Sequence, residues 1–259
     1  MDTLSLTKEA RIYNGVKTIS GKTGHSLYEQ TATIDFFDDS EIIDKYFTTI
    51  VPESTAEETP SWDDICGSLT ASKNPSGYRY YPLGDGTIAI EQCRKYEEEI
   101  VIPETIDSYP VSKLRGGSVF AYAYIVKKIV IPDSVLSVGP GTFNNTPHLT
   151  TIEVSESHPT MRSIDGVLFS KGGGMLLAYP QAKENAVYCV PEGTRKIGNY
   201  SFHAHFNFPS VEKVILPNSV RSIGRYAFAD CVDLKKIELP DELDLIGDNA
   251  VKGCDSLTT

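Results

Sequence analysis

No CxxC pair occurs in the 259-residue chain, and its five cysteines (Cys66, Cys93, Cys189, Cys231 and Cys254) are odd in number and widely spread. That argues against a disulfide framework and against a thiolate zinc site. No apolar run approaches the roughly 18 residues of a membrane span. Basic residues are scarce, with 24 Lys and Arg against 35 Asp and Glu for a formal net charge of −11. Binding to a nucleic-acid backbone needs clustered Lys and Arg, so nucleic acid is not an expected partner. Residues 1–9 carry neither a basic nor an apolar signal-peptide region. A cytoplasmic location follows if Met1 is the native start, and a cell-surface or secreted one if a signal peptide was removed. What remains is a globular composition, 40% hydrophobic, 10% aromatic and 23% charged. The length suits one large or two ordinary domains.

The charge is uneven. Residues 1–77 hold 13 acids and 6 bases, net −7, whereas residues 78–259 hold 22 acids and 18 bases, net −4. From Glu29 to Asp64 there are 11 acids and the single base Lys45. The stretch Val51–Ser61 is rich in Pro, Ser, Thr and Glu and reads as a linker or exposed loop, and a second loop follows at Ser72–Gly77. The boundary expected here separates an acidic N-terminal segment, 1–77, from a second domain, 78–259.

The second domain repeats. Short apolar strands end in proline at Ile100-Val101-Ile102-Pro103, Ile129-Val130-Ile131-Pro132, Tyr188-Cys189-Val190-Pro191, Val214-Ile215-Leu216-Pro217 and Ile237-Glu238-Leu239-Pro240. Eleven residues after each of the last four prolines stands a large apolar residue, Phe143, Phe202, Phe228 or Val251. It closes a block such as Ile223-Gly224-Arg225-Tyr226-Ala227-Phe228. The first proline has its block, Leu114 to Val119, five residues later. Six residues past the aromatic position comes Leu149, Leu234 or Leu257, and the next strand opens three residues on.

Alternation along each strand turns Ile129 and Ile131, or Ile237 and Leu239, inward. Proline falls at the strand end, where its missing N–H costs no ladder bond. Glycine in the Ile-Gly step is expected to allow a tight turn, and the residues after it a short helical turn that drops the aromatic ring into the core. One unit cannot bury its apolar edge alone, so neighbours stack into a continuous core.

The run Leu234–Cys254 and the segment Val220–Cys231 resemble the BspA-type leucine-rich repeat. Tyr78–Ile90 is similar to that family's opening hairpin, and Asp165–Lys171 with Leu176–Pro180 to its inserted hairpin. The resemblance covers about residues 78–259. It implies a curved solenoid whose concave parallel sheet binds proteins or glycans at bacterial surfaces, and it brings no catalytic residues.

Several local patterns invite chemistry. Gly15-Val16-Lys17-Thr18-Ile19-Ser20-Gly21-Lys22-Thr23 resembles a phosphate-binding loop, but five residues rather than four separate its glycines. Asn14-Gly15 predicts a β-hairpin between Ala10–Tyr13 and Val16–Ile19 instead. His203-Ala204-His205 has metal-like spacing, yet two imidazoles do not fill a tetrahedral site, and Phe202, Phe206 and Phe208 around them suggest packing. The pairs Asp38-Asp39 and Asp63-Asp64 read as solvated charge. Cys231 and Cys254 occupy equivalent positions in successive repeats and read as a ladder of small buried thiols.

The sequence thus predicts a repeat protein: a mainly β leucine-rich-repeat solenoid with a parallel concave sheet and short helical turns, behind a small N-terminal α+β segment. It is expected to be a non-enzymatic binding module without catalytic, cofactor or metal residues and without membrane insertion; the alternatives are a structural or assembly subunit self-associating through the solenoid and, behind it, an enzyme with its site in residues 1–77. Its partner is a protein, with a glycan second. The candidate partner-binding residues are the outward positions Val101, Lys128, Val130, Glu153, Cys189, Lys213, Ile215, Lys236 and Glu238. Among them Val101, Val130, Cys189 and Ile215 form an expected apolar line flanked by lysines. The register also calls for another strand at position 260: either the native chain continues past Thr259, or Leu243, Ile246, Val251 and Leu257 are an expected sticky end for a homo-oligomer.

Overall fold

The computed structural model describes residues 76–117, 119–184, 186–204 and 211–258, and the backbone of strands β1 (Arg11–Tyr13) and β2 (Val16–Thr18). Two compact units divide the chain, residues 1–59 and 60–259. In the first, β1 and β2 pair antiparallel with Tyr13 opposite Val16, as the Asn14-Gly15 turn predicts. Val16–Thr18 of the phosphate-loop match therefore form the second strand of this hairpin. The two Asp pairs, Cys66, His205, the expected linker at 51–61 and residues 72–75 of the second loop lie outside the described residues.

The second unit opens with an antiparallel hairpin of β3 (Tyr78–Pro82) and β4 (Ile88–Cys93), Tyr80 opposite Ile90. There follow β5 (Glu99–Val101), β6 (Thr105–Ile106), β7 (Tyr109–Leu114), β8 (Lys128–Ile131), β9 (Ser137–Val138) and β10 (Thr151–Val154). An inserted meander comprises β11 (Met161–Ile164), β12 (Val167–Ser170) and β13 (Met175–Ala178). The last turns supply β14 (Val187–Cys189), β15 (Lys196–Ile197), β16 (Lys213–Ile215), β17 (Ser222–Ile223), β18 (Lys236–Glu238) and β19 (Leu245–Ile246).

Each turn of this β-solenoid, of about six turns, presents three backbone ladders. The proline-ended strands make the front: β5–β8–β10 and β14–β16–β18 are two parallel three-stranded sheets. The Ile-Gly steps make a second ladder, in which Ile90, Leu114 and Val138 align across β4, β7 and β9. Leu176, Ile197, Ile223 and Ile246 align across β13, β15, β17 and β19. The third ladder joins the aromatic turns. There the N–H groups of Tyr200, Phe202 and Ala204 donate to the carbonyls of Arg225, Ala227 and Ala229, and Tyr226, Phe228 and Asp230 repeat the pattern onto Asp248, Ala250 and Lys252.

The aromatic rings stack along the axis, Tyr179 on Phe202 at 4.7 Å and Phe202 on Phe228 at 4.8 Å. At the other end Phe143 stacks on Phe120 at 5.6 Å. The ring beneath Phe143 is therefore Phe120 rather than its neighbour Val119, because six residues separate Leu114 from the ring where five separate the aligned Val138 from Phe143. The core has two parts, and β12 is the wall between them. Its Leu168 belongs to the first cluster and its Val167 and Phe169 to the second, all three fully buried.

The turns are wound more tightly than an α-helix. Successive i→i+3 bonds run from Ala227 to Gly224, Ala229 to Tyr226 and Cys231 to Phe228, and the described residues contain no continuous helix. The interruption is a left-handed residue in each block: Tyr200 (φ 58°), Tyr226 (φ 53°) and Asn249 (φ 56°). The glycines of the Ile-Gly step are not the left-handed residues. They serve close approach instead, since a Cβ on Gly224 would stand 2.6 Å from the Asn199 nitrogen and 2.7 Å from the Gly198 carbonyl carbon.

In the last turn the inward expectation for Leu239 fails. It is 50% exposed and Ile237 is only half-buried, because β18 is the edge strand of its sheet among the described residues.

Candidate functional site

The front ladder sets the candidate residues in two rows. One row runs Glu99, Lys128, Thr151 across the first sheet and Val187, Lys213, Lys236 across the second. The other runs Val101, Val130, Glu153 and then Cys189, Ile215, Glu238. Alternation does place all nine candidates on the outward side: Val101 is 56% exposed, Cys189 and Lys236 are exposed, and the rest are half-buried. The apolar line, however, is two separate steps, Val101–Val130 and Cys189–Ile215, each closed by a glutamate.

The break has a local cause. Ser163 Oγ accepts the Val154 N–H at 3.0 Å and donates to the Ile152 carbonyl at 2.8 Å. The Ile152 N–H donates to the Gly166 carbonyl at 2.8 Å. The β11–β12 hairpin thus saturates the edge of β10 that β14 would otherwise have used, and it divides the front into two sheets.

The lysines are not a free positive line either. Lys128 reaches Glu153 at 2.9 Å and Glu99 at 3.4 Å, while Glu238 receives Lys213 at 2.8 Å and Lys236 at 3.1 Å. Beside these rows Lys127 pairs with Glu98, and Lys235 with Glu212, both at 2.9 Å. Glu153 holds the Lys128 ammonium above its ordinary pKa, and Lys213 and Lys236 hold the Glu238 carboxyl below its own. Such exposed pairs add little stability. Their effect is on the field: five lysines meet five glutamates, and the front is neutral in a chain of net −11.

A pocket of about 330 Å³ adjoins the exposed Val101, lined by Tyr78, Lys95, Pro103, Thr105, Ile106 and Asp107. Sequence reasoning missed it, because it forms where the opening hairpin meets the β6–β7 turn, and neither segment alone signals a cavity. The Lys95 ammonium lies over the Tyr78 ring at 5.3 Å, and burial raises the Tyr78 hydroxyl well above the tyrosine norm.

The remaining candidates take structural places. Cys231 is 1% exposed, and its thiol donates to the Phe202 carbonyl at 3.1 Å. Cys254 repeats this one turn on, donating to the Phe228 carbonyl at 3.0 Å. Burial raises both thiols, and it pushes Cys93 up to about 11. The thiolate needed for redox chemistry is disfavoured at all three. His203 is 7% exposed, with Nε2 3.4 Å from Asp230 Oδ2 and its ring against Tyr200.

Comparison with known proteins places this architecture. Residues 113–172 and 195–259 match the BspA type leucine rich repeat region in six copies. A leucine rich cell surface protein from Faecalibacterium prausnitzii is 18% identical over 78% of this chain and 83% of its own, with a TM-score of 0.44. The pneumococcal vaccine antigen PcpA is 23% identical, TM-score 0.46, over 62% of this chain and 53% of its own, so this chain spans about half of that protein. A leucine rich repeat protein from T. pallidum is 20% identical over 70% and 88% of the two chains, TM-score 0.43. No curated protein matches in sequence. Six copies of one motif, laid on a β-solenoid whose spacings they set, identify residues 113–172 and 195–259 of this chain as BspA-type leucine-rich repeats.

Proposed function

We propose that the repeat region is a non-enzymatic binding module that takes a protein partner on its front sheets. The observation that supports this most is the pair of outward-facing apolar steps, each of an exposed and a half-buried residue, Val101–Val130 and Cys189–Ile215, set among charges already neutralised within the sheet. A surface with no net field favours a partner that contributes apolar side chains over a polyanion or polycation. A glycan is the second ligand class. The test is capture from the native host with the full chain as bait, beside Val130→Asp and Ile215→Asp variants. The expected protein is lost from both variants and retained when salt is raised to about 0.5 M, where exposed charges are screened. Equal capture by wild type and variants, or loss in salt, overturns the proposal.

A second reading, self-association through the last turn, is favoured by the exposure of Leu239 (50%), Leu245 (60%), Ile246 (52%) and Val251 (43%). Leu243 and Leu257 are better covered, packing against the second core cluster. Antiparallel pairing of two β18 edges about Ile237 would set Lys236 of each copy opposite Glu238 of the other. Light scattering should then show a dimer that Leu245→Ser with Val251→Ser converts to monomer, and a wild-type chain that stays monomeric at high concentration refutes it.

A further inference from the structure

His158 lies in the turn between β10 and β11 and is fully buried. Its Nδ1 accepts two backbone N–H groups, those of Met161 at 3.1 Å and Thr160 at 3.3 Å. An atom accepting two bonds carries no proton, so the ring is the neutral tautomer protonated on Nε2. Nε2 makes no hydrogen bond of standard geometry to the described residues, only weak contacts of the ring with the Pro132 and Val135 carbonyls remaining. Met161 is the first residue of β11, and two residues on stands Ser163, whose hydroxyl seals the edge of β10. We propose that His158 is a proton-operated latch on the inserted meander: neutral, it holds the start of β11 and the Ser163 seal; protonated, it turns a donor toward those same two N–H groups and releases both.

The charges facing the ring come from two other turns. After β8, Asp133 favours the imidazolium, but its carboxylate is already engaged by the hydroxyls of Ser155 at 2.5 Å and Ser157 at 3.2 Å. After β12, Lys171 opposes the imidazolium and is tied to the Glu156 carbonyl at 2.6 Å. Burial is the largest influence and holds His158 below the ordinary histidine pKa, with the carbonyls of Pro132 and Val135 pulling weakly the other way. An opened meander exposes the ring and restores its ordinary affinity for protons. The closed form is therefore fully favoured above the ordinary pKa of about 6.5 and loses that advantage as pH falls below it. Acid would free the β10 edge in the middle of the front face.

Amide exchange of the full chain, corrected for intrinsic rates, tests this between about pH 7.5 and pH 5. Protection at Met161 and Val154 should fall roughly tenfold or more, while the β14–β16–β18 ladder holds. His158→Asn places an acceptor that does not titrate near the Nδ1 position and should abolish the fall. A wild-type protein with flat protection, or a variant that loosens as wild type does, overturns the latch. Should the variant not fold, nitrogen shifts of the wild-type ring decide: Nδ1 unprotonated at neutral pH supports the latch, and Nδ1 protonated there overturns it.

Discussion

Phe228→Ala should cost the repeat region about 3–5 kcal/mol, read as a drop in the denaturation midpoint. The ring is fully buried and stacked on Phe202 at 4.8 Å, so truncation opens a cavity at the end of the aromatic column. Collapse cannot fill it cheaply, because the backbone on both sides is tied. The Phe228 N–H donates to Ala250 and its carbonyl accepts the Cys254 thiol. A loss below about 1 kcal/mol would mean that position 228 does not repeat position 202, and the register of the whole second half would fall with it.

Gly224→Ala should be as damaging, for the opposite reason. Nothing is removed; a methyl group is added where two turns touch. It would meet Asn199 Oδ1 at 2.5 Å and backbone atoms of Gly198 and Asn199 at 2.6–2.7 Å, none of which can swing aside like a long side chain. Asn199 Oδ1 also accepts the Arg225 N–H at 2.8 Å, so relief by moving Asn199 sacrifices a bond between turns. Overpacking a tight site costs about 1–3 kcal/mol and more when backbone must shift, so a destabilisation of about 3 kcal/mol is expected by thermal or chemical unfolding. Gly193→Ala, with open space around its Cβ but φ of 86°, separates the two effects, since only conformational strain remains there. A neutral Gly224→Ala would show that the turns are not in contact.

Much of the repeat was legible because its signals are local and must agree. Proline at a strand end, a large apolar residue eleven positions later and a leucine six beyond that can all hold only if each turn closes at one length. Val101, Lys128 and the other outward residues followed from alternation alone. What hid was decided between turns. Nothing in Ser163 announces that its hydroxyl will reach Ile152 and Val154 and cut the front sheet in two. The lysines read as a flanking line because their partners, Glu99, Glu153 and Glu238, come from neighbouring turns and only the ladder aligns them. The glycine of the Ile-Gly step reads as a turn-former because glycine so often is one. The left-handed residues are instead Tyr200 and Tyr226, whose rings stack at 5.0 Å while their backbones take a conformation that tyrosine seldom adopts.

The wall formed by β12 bears on how such a chain can change length. Leu168 looks into one core and Val167 and Phe169 into the other. A duplication or deletion of turns beyond β15 repacks only the second core, and one before β8 only the first. Neither has to renegotiate the packing across the wall. The meander is thus a fixed landmark in a molecule otherwise built from interchangeable turns, and lineages descended from it can vary the two arms of the front surface independently.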